Sequence, residues 1–173
     1  MGCGPSASIF YGVYLYDGED GWAVEEADEW GSFEPDWCPY EDGGYIDASD
    51  AIHDQLLRHV GFSQESLDGK YQFERSELLK EKWGLEIIRH RHHEFTSYSL
   101  AVSSTEIDTV ASRHVVLSFS EAGISVLKGF QDDAHEAAPK PFVPDATKLK
   151  EALAVLGVTP TEPIGWLLAP MYG

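Results

Sequence analysis

Lysine and arginine are absent from the first 57 residues of this chain, and the first basic side chain is Arg58. The same stretch contains 14 aspartates and glutamates, and the 173-residue chain has a formal net charge of −18 at pH 7. Residues 58–173 carry 16 acids and 12 bases, so the negative charge is concentrated in the N-terminal third. Such a field repels phosphate groups, which argues against direct contact with nucleic acid or with an anionic membrane surface.

Long apolar runs and cysteine are also scarce. No apolar segment approaches the roughly 18 residues that a membrane-spanning helix needs. The two cysteines, Cys3 and Cys38, are too few for a disulfide framework, so we expect a protein of the reducing cytoplasm. Hydrophobic residues nevertheless form 43% of the sequence, which is typical of a folded chain and fits a single domain over residues 1–173.

The signatures of common enzymes are missing as well. The sequence contains no glycine-rich phosphate loop, no Gly-x-Ser-x-Gly elbow, and no Cys-x-x-Cys or His-Glu-x-x-His pattern. Cys38 lies among acids, which raise the pKa of a thiol and disfavour a nucleophilic thiolate. We therefore predict no catalytic residue and no cofactor. Acid pairs are numerous, however, so composition alone leaves a two-carboxylate glycosidase open.

Apolar periodicity and capping residues predict seven main elements. Asp47 and Asp145 are suited to cap helices, and glycines follow the predicted helix ends. The predicted elements are strands over 8–16, 85–92, 97–103 and 164–171, and helices over 48–60, 74–83 and 146–156. Weaker patterns predict a short helix over 105–111 and strands over 114–119 and 124–127.

The order of these elements predicts an α+β fold of the ferredoxin-like type, a βαββαβ sandwich in which helices cover one face of an antiparallel sheet. The chain would carry an acidic, aromatic-rich insertion over 17–46 near its N-terminus. The region 106–143 would form a second insertion, with a Pro-rich loop over 131–144. A different α+β sheet of five or six strands is the alternative.

The densest group of potential metal ligands lies at 90–94. His90 and His92 would point to the same face of a strand, because side chains alternate along it. They could hold zinc if His114 or Asp108 supplied a third ligand, so a metal-binding protein or metal-dependent enzyme is an alternative function. Arginines alternate with these histidines, and the simpler interpretation is a polar, solvated sheet face or an exposed hairpin tip.

Six short motifs are distributed along most of the chain. They are SIFYGV at 8–13, WGLEII at 83–88, ASR at 111–113, LG at 156–157, WLL at 166–168 and YG at 172–173. Together they resemble a loose group of small acidic proteins encoded by tailed bacteriophages. The resemblance implies a phage product that acts in the cytoplasm of a bacterial host, and it supplies no catalytic residue.

The acidic N-terminal third is the feature from which we predict a function. A rigid array of carboxylates imitates the phosphate backbone of DNA, which carries about one charge per 1.7 Å of axis. We predict a non-enzymatic protein that binds and blocks a basic surface of a host nucleic-acid-binding or defence protein. The residues that would contact this partner, or anchor the segment, are Asp17, Glu19, Asp20, Trp22, Glu25, Glu26, Asp28, Glu29, Trp30, Glu34, Asp36, Trp37, Glu41 and Asp42.

Two further explanations compete with this prediction. The charge could serve solubility alone, because high net charge keeps small proteins apart. The chain could instead be a structural component whose sheet edge pairs with another copy.

Overall fold

A computed structural model describes residues 6–38, 40–41, 44–45, 47–92, 95–104, 115–120, 123–129 and 143–171. These residues form an α+β structure with an open antiparallel sheet of five strands, two separate strand pairs and four helices. The strands are β1 Ser6–Asp17, β2 Gly21–Trp22, β3 Tyr40–Glu41, β4 Gly44–Tyr45, β5 Leu85–His92, β6 Phe95–Val102, β7 Val115–Ser120, β8 Gly123–Gly129 and β9 Gly165–Met171. The helices are α1 Ala48–His59, α2 Gln64–Leu67, α3 Gln72–Trp83 and α4 Thr147–Leu156.

The long strand β1 organises the sheet because it pairs with three other strands. Its first half pairs antiparallel with β9, from Ser6 opposite Met171 to Gly12 opposite Gly165. Its second half pairs antiparallel with β6, and its last two residues pair with β2. Strand β5 completes the sheet as the hairpin partner of β6. The two strand pairs outside this sheet are β3 with β4 and β7 with β8.

Alternation along β6 separates the two faces of the sheet. Tyr98, Leu100 and Val102 enter the main hydrophobic core, to which α1, α3 and α4 also contribute buried side chains. The intervening residues Ser97, Ser99 and Ala101 face the other side, and they are also buried. Helices therefore cover one face of the sheet, and other parts of the chain cover the second.

Strand β1 bends across that second face at Gly12. The rings of Phe10 in β1 and His90 in β5 have centroids 5.3 Å apart. In the sheet, however, His90 pairs with Ser97, whereas Gly12 pairs with Ala101, which lies four residues further along β6. At about 3.3 Å per residue, a straight β1 would keep these rings far apart. The first half of β1 and its partner β9 therefore fold over the β5–β6 hairpin.

The predicted core elements are all present, with small differences at their ends. Helix α3 begins two residues earlier than predicted because the Glu74 side chain accepts a hydrogen bond from the Tyr71 amide at 2.8 Å and so extends the helix start. Asp47 caps α1 as predicted. At α4 the N-cap residue is Ala146, so Asp145 lies one residue before the predicted capping position. Its side chain accepts from the amide of Thr147, the first helical residue, whereas a capping side chain accepts from the second or third.

Some predictions fall on residues outside the described ranges. These are the short helix over 105–111 and most of the Pro-rich loop over 131–144. Helix α2 and the short strands β2, β3 and β4 were not predicted, because they are too short to show a period. None of the helices in the described part of the chain combines the length and apolar character needed to cross a lipid bilayer.

Candidate functional site

The acidic segment follows a defined path along the connection between α4 and β9. Val24 forms an antiparallel bridge with Pro160. The Glu25 amide donates a hydrogen bond to the Thr159 carbonyl at 2.7 Å. The Glu26 carboxylate accepts from the Thr159 amide at 2.8 Å. These contacts join residues about 135 positions apart in sequence, so this part of the segment is tied to the folded body.

Aromatic side chains fix the same segment to the hydrophobic core. Trp22 is 7% exposed, and the rings of Tyr16, Phe33 and Trp37 meet it edge-on with centroids 5.3 to 5.7 Å away. The indole N–H of Trp37 donates to the Leu156 carbonyl at the end of α4 at 3.0 Å. Trp22 and Trp37 therefore anchor the segment, which is one of the two roles predicted for the tryptophans.

Most acidic side chains of the segment project into solvent. Of the nine between residues 17 and 38, Asp17 is partly buried and the other eight are exposed. The exposed eight are Glu19, Asp20, Glu25, Glu26, Asp28, Glu29, Glu34 and Asp36. The anchoring aromatics face the core, whereas these eight carboxylates face solvent.

Six of the exposed carboxylates have neither a counter-ion nor a hydrogen-bond partner in the described part of the chain. Glu26 binds the Thr159 amide, and Asp28 accepts from the backbone amides of Trp30 and Ser32 at 2.8 and 2.9 Å. The carboxylates of the other six form no hydrogen bond or salt bridge with any described residue. We call this set the outer acids: Glu19, Asp20, Glu25, Glu29, Glu34 and Asp36.

Trp30 differs from the two anchoring tryptophans. It is 80% exposed, which is more than any other large hydrophobic residue in the described ranges. Its amide donates to Asp28, which holds the backbone of this turn in place. Trp30 is therefore presented to solvent between acidic side chains. The last two predicted acids have no described side chain, since Glu41 lies in β3 and Asp42 lies outside the described residues.

His90, predicted as a metal ligand, is buried within the second face of the sheet. It is 8% exposed, its Nε2 atom lies 2.8 Å from the Ser99 hydroxyl, and its ring meets Phe10 and Tyr14 edge-on. The expectation of a solvated sheet face is therefore wrong at His90, because the bend of β1 brings aromatic rings over it. Burial lowers the pKa of His90 to about 4, so its imidazole is neutral near pH 7.

The other predicted metal ligands are His92 and His114. The side chain of His92 and the whole of His114 lie outside the described residues. Among the residues that are described, no three His, Cys, Asp or Glu side chains converge as a metal site would require. Zinc binding stays a hypothesis.

A cavity of about 350 Å³ lies beside His90 on the second face of the sheet. Its walls come from β1, β5, β6, β9 and the connection before β9. The described residues that line it are Tyr14, Asp17, His90, Ser97, Glu162, Leu167 and Leu168. The cavity was not predicted from the sequence, because no local pattern links residues from four strands.

The carboxylate of Asp17 is the polar centre of this cavity. One oxygen accepts hydrogen bonds from the hydroxyls of Tyr14 and Ser97, and the other accepts from the amides of Glu19 and Asp20. Burial by itself would raise the pKa of Asp17, but these hydrogen bonds outweigh it and lower the pKa below its usual value. Burial and the contact with Asp17 raise the pKa of Tyr14. Near pH 7 the cavity therefore holds an ionised carboxylate, a neutral phenol and a neutral imidazole.

Cys38 shows no feature of a reactive thiol. It is 2% exposed and lies in the main core. Burial, with a smaller contribution from the charge of Asp47, raises the pKa of this thiol. The predicted direction is confirmed, and the thiolate is disfavoured near pH 7.

Comparison of the chain with protein-family profiles, with curated proteins and with solved structures gave no match.

Proposed function

We propose that this protein binds a basic protein surface through the outer acids. The observation that carries the proposal is that six exposed carboxylates lack a cationic partner among the described residues and stand on a segment tied to the core. An anchored segment holds its charges at nearly fixed separations, so a complementary cationic surface gains attraction at little cost in ordering. A solubilising tail would need no such anchoring.

The partner that fits this chemistry is a protein whose own ligand is a nucleic acid. A groove lined with lysine and arginine to receive phosphates would also attract closely spaced carboxylates. By occupying that groove, the protein would act as an inhibitor that imitates nucleic acid. The motifs that resemble phage proteins support a host nucleic-acid-binding or defence protein as the target, in the bacterial cytoplasm.

Trp30 gives this surface an apolar contact point. Exposed tryptophans are costly in water, and buried tryptophans are among the side chains that contribute most to protein interfaces. Its position between acids would let the indole pack against the partner while the carboxylates meet basic side chains.

For the fold, we propose the ferredoxin-like βαββαβ class with the acidic segment as an insertion after β1. The pairing of β9 with β1, β1 with β6, and β6 with β5 supports this class, because it reproduces the order of its four strands. The bend of β1 at Gly12 would then be a local departure from the flat sandwich.

Two variants with equal charge changes test the binding proposal. The test variant reverses three outer acids, Glu25, Glu29 and Glu34, to lysine. The control variant reverses Glu65, Glu77 and Glu151, which are also exposed but lie on α2, α3 and α4. A basic protein retained from bacterial lysate at low salt is identified and purified, and its affinity for each variant is then measured by calorimetry.

We expect the test variant to lose at least about tenfold in affinity and the control to change by less than about threefold. Double-stranded DNA should compete with this protein for the purified partner, and rising salt should weaken binding steeply. Equal losses in the two variants would show that only bulk charge matters. Failure of DNA to compete would contradict the imitation of nucleic acid.

A further inference from the structure

The cavity beside His90 is open to solvent on one side and is formed by side chains from several elements of the fold. Four strands contribute to its walls, and the side chains at its base are almost fully buried: His90 is 8% exposed and Ser97 is 6% exposed. Its volume of about 350 Å³ falls within the range of about 300 to 1,000 Å³ that is usual for small-molecule sites.

The lining of the cavity selects the charge of a ligand. Asp17 and Glu162 supply two carboxylates, and none of the described lining residues is a lysine or an arginine. The aromatic ring of Tyr14 and the side chains of Leu167 and Leu168 supply the apolar wall. An anion would meet repulsion from both carboxylates, whereas a cation would meet attraction from both.

We propose that this cavity binds a small organic cation with an apolar body, such as an arylalkylammonium ion. The ammonium group would lie near Asp17, whose carboxylate attracts positive charge. The apolar body would lie against Leu167 and Leu168, and Glu162 would add charge at the rim, where it is exposed.

The hydrogen bonds within the cavity favour binding over catalysis. A serine nucleophile needs a base that takes its proton. The Ser97 hydroxyl donates to Asp17, whose lowered pKa makes it a weak base, and the His90 imidazole contacts Ser99 instead. The groups are therefore arranged to hold Asp17 ionised and in a fixed orientation. Cation binding at this site requires neither the outer acids nor a protein partner.

Three probes of similar shape and different charge test the proposal. They are 2-phenylethylammonium, the neutral 2-phenylethanol and the anionic 3-phenylpropanoate, each titrated into the ¹⁵N-labelled full chain and followed by two-dimensional NMR. We expect saturable shifts of the Asp17, His90 and Ser97 amides with the cation, at least about tenfold weaker binding of the alcohol, and no binding of the anion.

Variants of the cavity separate this site from general attraction to an acidic protein. Asp17→Asn should weaken binding of the cation by about tenfold and leave the alcohol unchanged. Glu162→Gln, which removes only a rim charge and spares the fold, should weaken cation binding by about threefold. The matched control Glu151→Gln removes an exposed charge from α4 and should have no effect.

The proposal is overturned if the cation and the alcohol bind equally, or if no probe shifts the cavity amides. It is also overturned if Glu162→Gln and Glu151→Gln have the same effect, since that would assign the attraction to net charge. Lysine reversal of Glu25, Glu29 and Glu34 should leave cation binding at the cavity within about threefold, so this site and the proposed protein-binding surface can fail separately.

Discussion

The Nε2 atom of His53 lies 3.0 Å from the hydroxyl oxygen of Ser76, and this contact joins α1 to α3 inside the protein. The Nδ1 atom of the same ring lies 2.8 Å from the Ser49 carbonyl. A carbonyl oxygen can only accept, so Nδ1 carries the proton and Nε2 accepts from Ser76. The neutral ring is therefore fully hydrogen-bonded, and a second ring proton would place a positive charge in a buried site.

This arrangement predicts that the protein loses stability in acid. Burial lowers the pKa of His53 from 6.5 to about 4. Between these two values the unfolded chain binds a proton that the folded chain does not, so the free energy of unfolding falls as the pH falls. The loss due to His53 approaches about 3 kcal/mol near pH 4. Urea unfolding between about pH 7 and pH 4.5 measures it.

The matched variants for this prediction are His53→Gln and His59→Gln, because His59 is exposed on the same helix. We expect His53→Gln to be less stable at pH 7 but to show a shallower decline in acid. His59→Gln should keep the decline of the parent protein. Parallel pH profiles for His53→Gln and the parent would refute the assignment.

Arg75 neutralises two carboxylates of α1 from its position on α3. Its guanidinium lies 3.1 Å from Asp54 and 3.4 Å from Asp50. We predict that Arg75→Met destabilises the protein by about 2 to 3 kcal/mol, because both carboxylates would lose their counter-ion in a partly buried site. Lys82→Met, which breaks the exposed contact with Glu81, should cost less than about 0.5 kcal/mol. Denaturant titration of the two variants distinguishes these outcomes, and equal costs would contradict the prediction.

Gly12 should tolerate no side chain. A Cβ atom there would lie 2.3 Å from the Leu100 carbonyl oxygen and 2.9 Å from the Ala101 Cα, and both of these atoms are backbone. Gly12→Ala should therefore cost at least about 2 kcal/mol or prevent folding. Gly165 lies opposite Gly12, and its nearest neighbour would be 4.0 Å away. Gly165→Ala should fold normally, and thermal unfolding that shows similar losses for both variants would contradict the prediction.

Substitution of the anchoring Trp37 should reduce stability, whereas substitution of the exposed Trp30 should reduce binding. Trp37→Ala removes the hydrogen bond to Leu156 and the packing against Trp22, so we expect a loss of about 3 kcal/mol and faster cleavage of the acidic segment by protease. Trp30→Ala removes an exposed side chain and should change stability by less than about 0.5 kcal/mol. The same Trp30 variant should weaken binding of a basic partner by about tenfold. Unchanged binding by Trp30→Ala would remove the indole from the proposed interface.

The elements that could be predicted well from the sequence are those with a strong local signal. Helix α1 begins after Asp47, which accepts from the Ser49 amide, and its buried face carries Ile52 and Leu56 at helical spacing. The alternation of Tyr98, Leu100 and Val102 likewise predicted β6 and the face it buries. Such signals need only neighbouring residues.

The features that were missed depend on contacts between distant residues. Periodicity predicts that His90 and His92 share a side of β5, but it contains no information about the bend that brings Phe10 over His90. The cavity likewise brings together Asp17, Ser97 and Leu167, which are far apart in the sequence. For the acidic segment, aromatic content predicted anchoring, whereas only the folded structure separates the buried Trp22 from the exposed Trp30.

The shared strand β1 has a consequence for the order of events during synthesis. Its first half, Ser6–Gly12, has β9 as its partner, and β9 is more than 150 residues further along the chain. On the ribosome this strand must therefore wait, with open hydrogen-bonding groups, until nearly all of the described chain has emerged. An unpaired edge of that kind invites pairing with other nascent chains, so efficient folding in the cell should depend on chaperones that shield it.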